Sequence, residues 1–252
     1  QGFRKGHAPQ SEIDKRVSTA DIAMRALDKE QNAIIQEIMT TKEFKNANCI
    51  DSVSKLEVSK FESSNQEIIR RYYKALNNLA DGKSEENEIN KIALLMQQAK
   101  ISTTDRKTTV AAKIKGDKAK CPAAAIELQD GTIITSKTSD LLGASAALIL
   151  NATKYLAGID HKVKLIPAEM IEPIQNMKVS YLHGKNPRLH TDEVLVALAM
   201  LSLHNENCKK ALAQLSNFKG CQVHTTVMLS EVDRKIFQKL GVDFTCDPVK
   251  KK

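Results

Sequence analysis

Cys121 to Gly158 reads CPAAAIELQDGTIITSKTSDLLGASAALILNATKYLAG, and this stretch decides the fold. Its first half alternates two β-prone runs, Ala123–Leu128 and Thr132–Thr135, around Gln129-Asp130-Gly131. Asp-Gly between such runs predicts a hairpin, because both residues tolerate the positive φ of a tight primed turn. Ser139 then stands where a helix N-cap belongs, and Asp140 can meet the helix dipole. From Leu141 to Leu156 nearly every residue is apolar or small. A helix apolar on most faces is buried, so this one is expected to lie on the sheet that its own hairpin begins.

Downstream the chain keeps alternating. A short strand is predicted at Val163–Ile166, and no more than a turn of helix between Pro167 and Pro173. Lys185–Leu189 is a polar loop. Thr191 is expected to cap a long apolar helix from Asp192 to His204, followed by a helix over Cys208–Leu215. Val223–Leu229 reads as a buried strand, Ser230 as the cap of helix Glu231–Leu240, and Val242–Thr245 as the last strand. Strands alternating with helices imply an α/β layered domain over residues 121–252.

Upstream, residues 65–120 read as a small helical subdomain. Gln66–Leu79 is amphipathic and ends at Asp81-Gly82; Ser84 is the expected cap of a second helix; Asp105–Lys113 is a third, broken at Lys115-Gly116-Asp117-Lys118. Residues 1–64 form a separate N-terminal segment. Helical spacing covers Thr19–Met39, and Thr40–Ser64 is patterned too weakly to predict more than a loop with a short element.

Composition narrows the function classes. The chain has 252 residues, a net charge of +8, and no Trp. Residues 1–64 are neutral, residues 65–120 carry +5, and residues 121–252 carry +3, all of it in Lys250, Lys251 and Lys252. A mild basic bias favours anionic partners without selecting one, and an aromatic content of 4% leaves little for base stacking. Three readings stand: a ligand-binding or assembly module of a larger protein, an enzyme acting on an anionic, phosphate- or carboxylate-bearing small molecule, and, least favoured, a nucleic-acid accessory. No apolar run approaches the ~20 residues of a membrane helix. Arg4 and Lys5 are followed by polar residues rather than by a leader-like apolar run, so a cytoplasmic location is expected. Cys49, Cys121, Cys208, Cys221 and Cys246 are odd in number and lack a C-x-x-C pair, which predicts reduced thiols. A homo-oligomer stays open, and no cofactor is indicated.

The motifs resemble a known family. The likeness runs through Gln66-Glu67-Ile68-Ile69-Arg70-Arg71-Tyr72-Tyr73, Thr104-Asp105-Arg106-Lys107, Ala123–Lys137, Asp140-Leu141-Leu142-Gly143, Glu172-Pro173-Ile174-Gln175 and Asn186-Pro187-Arg188-Leu189-His190. It ends near Lys239-Leu240-Gly241-Val242 and Pro248. The chain resembles the C-terminal part of the bacterial domain of unknown function 1846 family. The resemblance implies a three-layer αβα domain of cytidine-deaminase-like topology over residues 121–252 and no particular activity. Family members carry a Gly-rich phosphate-type loop in a longer N-terminal half. No G-x-x-x-x-G-K-[ST] pattern occurs here, so that role does not transfer.

Candidate chemistry is sparse. A zinc deaminase needs a His or Cys ligand and a Glu at the start of the helix after the hairpin, with P-C-x-x-C later. Here that helix begins Thr138-Ser139-Asp140-Leu141, and the only Cys-Pro contact is Cys121-Pro122. The anion-binding candidates are Asn186, Arg188, His190 and Thr191, where a guanidinium, an imidazole and free N–H groups would meet at a helix N-terminus. Lys137 and Ser139 are polar at a strand end, and His224 lies in a predicted central strand, where a hydrogen-bonded core histidine is the commoner outcome. A pocket joining Lys137, Arg188, His190 and His224 would make them one site. The missing ligand spacing predicts that protein purified without chelator carries no stoichiometric zinc; about one zinc per chain by elemental analysis would overturn this.

Overall fold

Antiparallel pairing joins Ala123–Glu127 to Ile133–Lys137, with Ala123 opposite Lys137 and Glu127 opposite Ile133. The hairpin is present, but its turn is not the two-residue primed type. Gly131 N–H donates to the Leu128 carbonyl at 2.9 Å, Leu128 N–H donates to that of Thr132 at 2.9 Å, and only Gly131 takes a positive φ (80°). Asp130 instead accepts from Thr132 N–H at 2.9 Å, so its carboxylate braces the turn.

The computed structural model describes residues 49–249, with side chains from residue 64 onward. The chain divides into two units, Gln1–Ser63 and Ser64–Lys252. Of the first, Cys49–Ser63 is described, as helical backbone; the helix expected at 19–39 lies outside the described residues. The elements in order are α1 (Cys49–Ala80), α2 (Glu86–Gln98), α3 (Lys107–Ala119), β1 (Ala123–Glu127), β2 (Ile133–Lys137), α4 (Ala144–Leu156), α5 (Ala168–Asn176), α6 (Thr191–Leu201), α7 (Glu206–Ala213), β3 (Gln222–Thr225), α8 (Glu231–Lys239) and β4 (Asp243–Cys246).

The fold is mixed α/β around an open four-stranded sheet ordered β2-β1-β3-β4. β1 is antiparallel to both neighbours, and β3 is parallel to β4. Alternation along the strands separates the two faces. Ala124, Ile126, Val223 and Cys246 meet Leu148, Ile149 and Ala152 of α4 and Phe237 of α8 in one core. The row Ala125–His224–Thr245 belongs to the other face, where the Tyr73 ring of α1 lies 4.9 Å from that of His224. Helix α4 also turns Ala146 and Leu150 into a second core with Leu189, Val194, Leu198 and Ala211. Two cores on two sides explain why its sequence is apolar almost all round.

Several boundaries differ from expectation. Helix α4 starts at Ala144, not Leu141, because residues 141–143 bond to a distant loop: Leu189 N–H donates to the Leu141 carbonyl at 2.9 Å and Gly143 N–H to that of Leu189 at 3.2 Å. Helix α3 runs through Gly116, where a Cβ would meet Thr226 and Ala123 at 3.5–3.6 Å, so the glycine marks close packing rather than a break. Residues 163–166 form no strand; Leu165 and Ile166 are buried by the helices instead. β3 stops at Thr225, four residues short of Leu229, while α5 continues through Pro173 to Asn176. Backbone from Cys49 is helical where a loop was expected. The thiols of Cys121, Cys208, Cys221 and Cys246 are free.

Arg106 joins the helices to the sheet. Its guanidinium is 1% exposed and donates to the carbonyls of Val223 (3.3 Å) and Asp243 (2.6 Å) and to Gln66 Oε1 (3.2 Å). Charge-assisted hydrogen bonds are worth about 1.5–3 kcal/mol each, and deleting the donor strands buried acceptors. Arg106→Ala should therefore lower the unfolding free energy by about 3 kcal/mol in urea titrations, whereas Lys209→Ala, at an exposed site, should stay within about 0.5 kcal/mol of the parent.

Candidate functional site

Ser139 and residues 186–191, separate candidates in the sequence, lie on two loops that the structure brings side by side. The parallel bridge between Leu142 and Leu189 draws the two loops together. Arg188 Nε donates to the Ser139 carbonyl at 2.7 Å, and Asn186 Oδ1 accepts Arg188 N–H at 3.2 Å. His190, not Thr191, occupies the N-cap position of α6; Thr191 is its first helical residue. Two backbone N–H donors at this corner, those of His190 and Thr191, have partners within the chain, while the buried Thr191 hydroxyl has none among the described residues. Asp233, buried on α8, accepts Thr191 N–H at 3.1 Å and lies 3.5 Å from His190 Nδ1. Glu193 accepts His190 N–H at 2.7 Å and pairs with Lys178 at 2.7 Å. The helix dipole thus meets carboxylates of the protein itself. Asp233 reads in sequence only as part of the Ser230 cap, which it also serves by donating its N–H to Ser230 Oγ at 3.1 Å.

Lys137 is exposed at the end of β2, and Ser139 Oγ accepts Leu142 N–H at 3.1 Å. His224 lies elsewhere. It is fully buried in β3, with Nδ1 2.8 Å from Thr245 Oγ1 and Nε2 3.5 Å from Asp247 Oδ1. Its partners are Tyr73, Thr245 and Asp247, and it shares none of them with Arg188 or His190. His224 thus stands apart from the hydrogen-bonded group of Ser139, Asn186, Arg188 and His190.

His224 instead underlies a cleft that the sequence did not reveal. Asp247 and Thr226, the residues just after β4 and β3, line a cleft of about 560 Å³ together with Lys113, Asp117, Lys120 and Cys121. Asp247 also stands 3.8 Å from Lys113 Nζ. This is the carboxyl end of a parallel strand pair, the usual ligand position in open α/β sheets. Finding it required knowing that β3 and β4 are adjacent and that α3 crosses their ends; no local motif signals that. A second cleft, of about 680 Å³, is lined by Lys83, Ser230, Glu231, Arg234 and Lys235. Two of its cations are paired there, Lys83 with Asp81 at 3.5 Å and Lys235 with Glu231 at 2.7 Å. Among the described residues no group of three or more His, Cys, Asp and Glu side chains is placed to hold a metal ion, and no helix is long and apolar enough to cross a membrane.

Fold and cleft together define an α/β domain with a polar recess at the carboxyl edge of its parallel strands. Comparison with known proteins places it in a family. Residues 104–252 match the family described as Domain of unknown function DUF1846, C-terminal. The UPF0371 protein of Corynebacterium aurimucosum is 50% identical over 188 residues, which is 75% of this chain and 38% of the relative. The UPF0371 proteins of Streptococcus uberis and Streptococcus sanguinis are 46% and 44% identical over 188 residues, with the same coverage of 75% and 38%. The chain belongs to the DUF1846 family, and it spans about 38% of the length of these curated relatives. Residues 1–109 also match the family described as Bacterial trigger factor protein (TF), a likeness over less than half of the chain.

Burial lowers the pKa of His224, against an opposing pull from the hydrogen bond and charge of Asp247. The unfolded chain, with an ordinary histidine pKa of 6.5, then binds more protons than the folded one below that pH. The contribution of His224 to stability is full above pH 6.5 and is lost as pH falls from there towards the lowered folded value. His224→Gln should flatten the fall in unfolding free energy between about pH 7 and pH 5 relative to the parent. Parallel curves for the two proteins would show that His224 does not titrate on unfolding.

Proposed function

We propose that the chain is a ligand-binding module of a larger protein, and that a small phosphate- or carboxylate-bearing molecule occupies the cleft above Asp247. The observation that carries this reading is the position of Lys113, Lys120 and Thr226 around a recess at the carboxyl ends of β3 and β4. Lys113 and Lys120 bring two positive charges to a recess that Asp117 and Asp247 also line, and the buried His224 stands behind the Asp247 carboxylate on the recess wall. In this reading residues 121–252 are an αβα domain of cytidine-deaminase-like topology, and residues 65–120 are the helical layer that supplies Lys113. The hairpin followed by a buried helix supports that topology, as does the β2-β1-β3-β4 order. The corner at Arg188–Thr191 supports an anion site less well, because Asp233 and Glu193 already take its N–H donors.

A second reading, an enzyme acting on the same class of molecule, is favoured by the His224–Asp247 pair. A carboxylate in a cleft, 3.5 Å from a buried imidazole, is suited to take a proton from a bound hydroxyl or amine.

Inorganic phosphate titrated into isotope-labelled protein should shift the backbone amide signals of Lys113, Lys120 and Thr226. Lys113→Ala combined with Lys120→Ala should weaken binding about tenfold or more, the weight of a charge-assisted contact. Lys209→Ala should change it little, and the difference should persist when added salt screens the general attraction of a basic surface. Shifts centred on Arg188–Thr191 would move the site to that corner, and equal losses for all lysine variants would remove it.

A further inference from the structure

Helix α6 packs Leu195 against the sheet core and a second set of side chains against the other core, yet stays apolar beyond both. Val194, Ala197 and Leu198 are buried against Leu189, Cys208 and Ala211. On its outer side Val196 and Met200, one turn apart, are 61% and 64% exposed, and Leu203 just past the helix is 77% exposed. The Lys178–Glu193 ion pair, 2.7 Å long, pins the preceding segment to the first turn of α6. That segment carries Tyr181 and Leu182, 74% and 67% exposed. A helix apolar all round belongs inside a core, and exposed apolar side chains one turn apart on a helix mark a surface that something covers. No charged side chain interrupts α6 after Glu193, so the patch offers nothing to a phosphate backbone.

We infer that the outer face of α6, with Tyr181 and Leu182, is the docking surface for the N-terminal part of the full-length family protein. The inference rests on the reading of this chain as one module of a longer protein. Its independent support is length: the chain spans 38% of the Corynebacterium aurimucosum relative, and the family match is to a C-terminal domain, so the relative has most of a chain left to cover the patch. Size argues the same way. A stable contact between free copies needs about 1,200–2,000 Å² in total, whereas domains of one chain dock over as little as ~600 Å². Tethering gives the partner a high effective concentration, about millimolar for a short linker. Five side chains suit the tethered partner better than a second copy.

Hydroxyl-radical footprinting tests this. In this chain Met200 and Leu203 should label strongly. In the full-length Corynebacterium aurimucosum UPF0371 protein, the helix aligned with Thr191–Leu201 should label about fivefold less or lower. Equal labelling in the two proteins would overturn the docking surface, while phosphate binding at the Lys113 cleft would still stand or fall by its own titration. Weak labelling already in this chain would also overturn it, since the chain would then cover its own patch. Sedimentation of Met200→Asp would say how: a dimer turned monomeric points to a second copy, and an unchanged monomer points to residues of the same chain.

Discussion

A single buried cation ties the helices to the sheet. Arg106 sits between the helical layer and the parallel pair β3/β4, with its guanidinium on the carbonyls of Val223 and Asp243 and on Gln66. Burial lowers its pKa to about 10, which still leaves it charged at neutral pH. Removing a charge from water is expensive unless hydrogen bonds replace the lost hydration. Here two backbone carbonyls and the Gln66 amide replace much of it, while the buried Nε–H has no partner among the described residues. Among the described residues no carboxylate comes within ion-pair distance of the guanidinium. The strands therefore have to be where their carbonyls are, and the Gln66 turn of α1 has to lie over them.

That constraint positions the recess. With α1 and α3 held on one face, Tyr73 covers the His224 ring, and Lys113 of α3 and Lys120 just past its end line the recess beyond the ends of β3 and β4. Gly116 lets α3 approach Thr226 and Ala123 closely enough to form one wall. The opposite face has a different task. There α4 closes the sheet core and, on its far side, founds the second core with α6 and α7. The recess and the uncovered face of α6 thus come from separate packing surfaces, which is why their occupants can be tested separately.

Local patterning was a good guide where burial follows from one element. The hairpin and the doubly buried α4 were legible because two β-prone runs around Asp-Gly and an apolar helix have few alternatives. The Ser230 cap was legible too: its hydroxyl accepts Asp233 N–H at 3.1 Å, as the spacing implies. It was a poor guide where a distant residue uses the backbone groups first. Ser139 looked like a cap, yet Leu189 takes the backbone groups of Leu141 and Gly143, and the helix starts three residues later than expected. Leu165 and Ile166 looked like a strand because buried apolar pairs read alike in a strand and in a loop under helices.

The sequence by itself determined the mixed α/β class and the family, and it singled out polar residues 139 and 186–191, since hydrophobic period, turn chemistry and collinear motifs are written locally. Only the tertiary structure decided what those residues do. It set the buried Asp233 carboxylate of α8 against the N–H of Thr191, 42 positions away, so one donor of that corner is already taken by the protein. It also placed His224 behind Asp247 and Lys113 above it, from three elements that no sequence window contains. Strand order and helix crossing are long-range choices, fixed by which faces bury together, and they decide which side chains meet.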